Sequence, residues 1–108
     1  MEKTREEKMA IANEILRQLG GHKFVAMTGA KDILALDSGL RFRLPGGGGF
    51  CKHGINYVRI ELDPNDLYSM QFFKCNKRGN EKIVGYSCIY NEDLQRTFTA
   101  ETGLETHL

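Results

Sequence analysis

Three stretches of this chain alternate apolar and polar residues with a period of two, and that alternation limits the possible folds more than any other feature. Leu40, Phe42 and Leu44 are separated by Arg41 and Arg43. Val58, Ile60 and Leu62 alternate with Tyr57, Arg59 and Glu61, and Tyr68, Met70 and Phe72 with Ser69 and Gln71. Successive side chains on a strand point to opposite faces, so each stretch reads as a strand with one apolar and one polar side. Such strands belong to an antiparallel sheet with one face on a core and the other in water. The apolar face needs a cover, and the chain ends supply it.

The N-terminal segment has helical spacing. Thr4-Arg-Glu-Glu7 fits a capping box, Met9, Ala12, Leu16 and Leu19 form a stripe flanked by Ile11 and Ile15, and Gly20-Gly21 stops the helix. At the other end Asn91 is a suitable N-cap, Glu92 and Asp93 suit the positive end of a helix dipole, Leu94 and Phe98 share a face, and Gly103 terminates the segment. Between them the sequence predicts strands at Lys23–Met27, Asp32–Leu36, Leu40–Leu44, Ile55–Leu62, Leu67–Cys75 and Lys82–Tyr90. Turn residues punctuate them, notably Asp63-Pro-Asn-Asp66 and Asn76-Lys-Arg-Gly-Asn80. The expected fold is α+β: an antiparallel meander of five or six strands packed against N-terminal and C-terminal helices, a two-layer sandwich in one domain over 1–108.

Composition fits that frame. Hydrophobic residues make up 41% and charged residues 27% of 108 positions, the balance of a globular rather than a disordered chain. No apolar run approaches the ~20 residues a bilayer requires, and Met1–Lys8 lacks the apolar core of an export signal. The expectation is a cytoplasmic protein that does not associate with membrane, with Cys51, Cys75 and Cys88 reduced. A Cys75–Cys88 bridge needs those strands to be neighbours and an oxidising compartment. Net charge is +1, but residues 22–82 carry ten Lys or Arg against six Asp or Glu, while residues 91–108 carry Arg96 against Glu92, Asp93, Glu101 and Glu105. A basic middle with an acidic tail is compatible with a polyanion partner.

The segment that most resembles a chemical site is Pro45, four glycines at 46–49, Phe50 and Cys51-Lys-His53. A phosphate-binding loop needs a hydroxyl residue after its lysine and a helix to follow, whereas Lys52 precedes His53 and strand-like Ile55–Leu62. A dinucleotide fingerprint fails for lack of the same helix. Structural zinc sites announce themselves as two close ligand pairs, and only Cys51 and His53 are so spaced. A thiol nucleophile at Cys51 would need preorganisation that a glycine loop does not give. The loop therefore reads as a slack hairpin connection, and no catalytic residue, metal ligand or cofactor is expected. The chain reads as a binding protein rather than an enzyme.

The outward sheet face is the candidate surface. Alternation sends Arg41, Arg43, Tyr57 and Arg59 to the side opposite Phe42 and Val58, with Gln71 and Phe73 as further neighbours and Lys77 and Arg78 at a hairpin tip. Cations interleaved with aromatic rings suit single-stranded nucleic acid, since rings take bases and guanidinium groups take phosphates.

Several ordered motifs also carry a resemblance: Ala12-Asn-Glu-Ile-Leu-Arg-Gln-Leu-Gly-Gly21, Lys23-Phe-Val-Ala-Met-Thr-Gly-Ala-Lys31, Leu40-Arg-Phe-Arg-Leu-Pro45, Ile55-Asn-Tyr-Val-Arg-Ile-Glu-Leu62, Asp66-Leu-Tyr68 leading to Phe72, and the spaced set Tyr90, Leu94, Phe98, Thr102-Gly103-Leu104. Together they resemble a group of small phage and prophage proteins to which no activity is assigned. The resemblance implies a mobile-element origin within a bacterial host cell. Its glycine run and Cys51-Lys-His53 lie outside the shared pattern. A phage-like origin gives a second expected partner, a bacterial host enzyme or defence complex that the protein modulates.

Overall fold

The computed structural model describes residues 4–44, 54–76 and 79–104. Helix α1 spans Arg5–Leu19 and a short α2 spans His22–Thr28. Five strands follow, β1 Lys31–Ala35, β2 Gly39–Arg43, β3 Tyr57–Leu62, β4 Tyr68–Asn76 and β5 Gly79–Ile89. A 3-10 turn at Asn91–Asp93 leads into α3, Leu94–Thr102. The strands form one antiparallel sheet in chain order, β1-β2-β3-β4-β5. The α+β meander expected from the alternation is thus the fold, in its five-stranded form. No helix among the described residues is long and apolar enough to cross a membrane.

The sixth expected strand, Lys23–Met27, is instead α2. Its five residues carry an apolar run too short to separate strand from helix by periodicity. Packing decides, because Phe24 and Thr28, one helical turn apart, are both buried. The helix also closes itself off. The Thr28 hydroxyl donates to the Phe24 carbonyl at 2.7 Å and accepts from the Ala30 amide at 3.2 Å, while Gly29 takes a left-handed φ of 72°.

Helix α1 begins as its sequence expects, with the Thr4 hydroxyl accepting from the Glu7 amide at 3.1 Å. The Glu7 carboxylate, which in a full capping box takes the Thr4 amide, instead accepts from the Thr4 hydroxyl at 3.3 Å. Its buried face is Ala12, Ile15 and Leu19, rotated from the expected stripe: Met9 is exposed and Leu16 only half-buried. The apolar arc on α1 is broad, and its centre is set by what the sheet presents. At the other end of the chain, the expected N-cap Asn91 is instead the first residue of the 3-10 turn, its side chain accepting from the adjacent Glu92 amide at 3.0 Å, and α3 starts two residues after the expected boundary with Asp93 before it. Gly103, with φ 80°, ends α3 as expected, and Leu104 packs on the core.

The core joins the two layers. Phe24 of α2, Phe42 of β2 and Phe98 of α3 are fully buried, and their rings meet edge-on or tilted at centroid distances of 5.2, 5.2 and 6.1 Å. Edge-to-face contact of this kind adds to the area each ring buries. Ile15, Leu40, Val58, Ile60, Met70, Phe72 and Leu94 belong to the same interior. All three helices therefore send their buried side chains into one face of the sheet, and Gln95 ties α3 to α1 by donating to the Leu19 carbonyl at 2.8 Å.

One further device extends the sheet past β3. The Asn56 side chain donates to the Cys75 carbonyl at 2.8 Å and accepts from the Cys75 amide at 2.7 Å, copying the paired bonds of a strand ladder. The Asn56 backbone meanwhile bridges Phe73 and Leu44, which sit on β4 and at the end of β2. This holds the β2 and β3 ends together on either side of the glycine-rich segment 45–53. That segment, with Cys51 and His53, lies outside the described residues, but its flanks are adjacent antiparallel strands, so it connects a hairpin.

Candidate nucleic-acid interface

Cross-strand register decides which side chains share the polar face, because residues directly opposite in an antiparallel pair point the same way. Arg41 of β2 lies opposite Arg59 of β3, which lies opposite Gln71 of β4, which lies opposite Gly85 of β5. The next row runs Lys31, Arg43, Tyr57, Phe73 and Lys82 across all five strands. A third row holds Gly39, Glu61 and Ser69. Their strand neighbours Phe42, Val58, Ile60, Met70 and Phe72 are buried beneath the helices. The four central residues expected on this face, Arg41, Arg43, Tyr57 and Arg59, are together on it, and no described helix covers them. Lys77 and Arg78, the expected hairpin-tip extension, lie outside the described residues.

Each cation meets a different environment. Arg41 reaches diagonally to Tyr57: its guanidinium carbon is 5.8 Å from the ring centroid and Nη1 donates to the phenol oxygen at 3.3 Å. That contact holds the side chain against a ring, and Arg41 has no acidic partner among the described residues. Tyr57 in turn meets Phe73 edge-to-face at 5.5 Å and 76°. Arg59 donates through Nε to Glu61, two residues along the same strand, with both side chains about 40% exposed. Arg43 is exposed and has no acidic partner among the described residues. Lys82 lies across the site of Gly85, where a Cβ would come within 2.9 Å of its Cε. Beside it is a shallow hollow of about 230 Å³ lined by Ser69, Gln71, Lys82, Gly85, Tyr86 and Ser87.

Among the described residues five cations therefore line the face, Lys31, Arg41, Arg43, Arg59 and Lys82. Opposing them are Glu61 and Asp63, the latter accepting from the Ser69 hydroxyl. The arginines were legible from alternation alone. Lys31 and Lys82 were not, because their places depend on cross-strand register through two irregular steps, between Lys31 and Leu34 and between Phe72 and Phe73. Glu61 is visible in the sequence as the next outward position after Arg59, but its pairing with that arginine depends on side-chain placement that alternation does not give.

Two of the three cysteines lie among the described residues. Cys75 and Cys88 are free thiols. Burial pushes the Cys75 thiol pKa up, with the Arg43 charge opposing, so the thiol stays protonated near neutrality. No group of three or more His, Cys, Asp or Glu side chains that could hold a metal ion occurs among the described residues. Compared with family models, with curated proteins and with solved structures, the chain finds no match.

Proposed function

We propose that the open face of the sheet binds single-stranded nucleic acid. One observation carries this reading: an aromatic pair, Tyr57 and Phe73, sits in mid-sheet with Arg43 and Lys82 on either side of it and Arg41 against the tyrosine ring. Flat or tilted rings accept bases of any sequence, and the flanking cations meet the phosphates. A duplex would keep its bases stacked internally and away from the rings, so single strands are the favoured form. The protein acts here by binding and not by catalysis, and a phage-like source, implied by the resemblance above, belongs to the same proposal.

Fluorescence anisotropy with labelled oligothymidylate and oligouridylate tests it. Binding should weaken steeply with salt, because each neutralised phosphate releases counterions. Replacing Arg41 and Arg43 together by alanine should weaken affinity about tenfold at low salt and flatten the slope of log K against log salt by ~1.4, two phosphates at ~0.7 each. No binding to either strand at low salt, or binding indifferent to salt, removes the proposal.

A second reading rests on a different patch. Tyr86, 41% exposed, donates from β5 to Glu101 of α3, and Tyr90, 58% exposed, follows β5 two residues before Glu92. An aromatic and acidic patch suits a basic protein surface, such as a bacterial host enzyme or defence complex. Recovery of one host protein that survives nuclease treatment favours this partner; recovery lost with nuclease favours the first.

A further inference from the structure

We infer that Glu61 is a built-in competitor for the phosphate that Arg59 would otherwise hold, and so limits how many phosphates the sheet face engages. This inference rests on the nucleic-acid reading of that face. Residues 59 and 61 point to the same side of β3, and the carboxylate accepts from Arg59 Nε. Opposite Glu61 on β2 stands Gly39, which has no side chain to crowd it: a Cβ there would lie 3.1 Å from Glu61 Cγ. The carboxylate therefore has room beside the arginine, with Ser69 as its neighbour on β4.

The three arginines of the face are consequently unequal. Arg41 leans on a neutral ring and Arg43 has no acidic partner among the described residues, so both present full charge to an incoming strand. Arg59 is neutralised before any ligand arrives. Its ion pair is half-exposed and bonded through Nε, a weak arrangement in water that a phosphate can displace. Displacement leaves the Glu61 carboxylate facing the phosphate, so the gain from the exchange is small. The face then behaves as though it carried one cation fewer than the sequence contains.

The test is Glu61→Gln, which keeps an oxygen for Arg59 Nε and removes the charge. Its slope of log K against log salt for oligothymidylate should steepen by ~0.7, one added phosphate, with affinity at low salt rising about threefold. In an Arg59→Ala background the same change should leave the slope unaltered, because no cation is released. Glu92→Gln, an equal change of net charge on the exposed 3-10 turn away from this face, should also leave it unaltered. An unchanged slope in Glu61→Gln, or an equal steepening in Glu92→Gln, overturns the inference while leaving the surface reading intact. Should the unmodified protein bind no strand, the surface reading fails, and heparin–agarose decides the inference instead. Later salt elution of Glu61→Gln than of Glu92→Gln supports it, and co-elution overturns it.

Discussion

Replacing Phe42 by alanine should lower the unfolding free energy by about 3–5 kcal/mol, the largest stability loss expected from truncating any single side chain here. Phe42 is fully buried and touches both Phe24 and Phe98, so its ring joins β2 to α2 and α3 simultaneously. Truncation loses the transfer free energy of the ring and opens a cavity, and three separate elements would have to move together to fill it. Domains of this size have about 5–15 kcal/mol in total, so the variant keeps only a thin margin. Urea unfolding followed by circular dichroism should show a midpoint lowered by roughly 2 M with an unchanged slope, taking ~2 kcal/mol/M for a small domain. A loss below about 1 kcal/mol would mean that the helices are held to the sheet from elsewhere.

Gly39→Ala should be nearly as damaging although it adds one methyl group. The new Cβ would lie 2.1 Å from the Ile60 carbonyl oxygen and 2.9 Å from the Glu61 Cα, both backbone atoms of β3. No side-chain rotation relieves such a clash; the strands must part. They meet there under tight restraint, with Leu36 donating to the Gly39 carbonyl at 2.9 Å and Leu62 to the Ser38 carbonyl at 2.7 Å. The expected cost is about 3 kcal/mol, the upper end for overpacking. Gly21→Ala provides the contrast, since a Cβ at that site has open space and only its backbone angles, φ 60° and ψ −130°, are penalised, at about 1–3 kcal/mol. Gly39 itself takes no left-handed φ, so a loss below about 1 kcal/mol there would mean that the strands part freely to admit the methyl group. The position also links fold to surface, because the same missing side chain makes room for Glu61.

The period-two pattern was readable because the sheet faces two different environments, and Arg41, Arg43, Tyr57 and Arg59 could be grouped from it without coordinates. Other features left weaker traces. The Lys23–Met27 run could serve as strand or helix, and Phe24 was drawn into helix by the gap between Phe42 and Phe98. On α1, apolar residues at 9, 11, 12, 15, 16 and 19 cover so wide an arc that its burial depends on the partner. Irregular strand steps are quieter still. Asp32 and Cys88 take φ values of 53° and 57° without being glycine, and neither residue type announces that in sequence. The step at Asp32 moves Lys31 onto the polar face and a separate step between Phe72 and Phe73 moves Lys82 there, which is why its full width emerged only with the register.

The central claim is that the uncovered sheet face, with its ring pair and surrounding cations, is where the ligand sits. An amide and arginine Nε NMR titration with an oligothymidylate of ~8 nucleotides at low salt tests it directly. The account predicts the largest shifts at Arg41, Arg43, Tyr57, Arg59, Gln71 and Phe73, with α1 and α3 unmoved. Shifts confined to the helical layer, or a spectrum unchanged by excess strand, would contradict it.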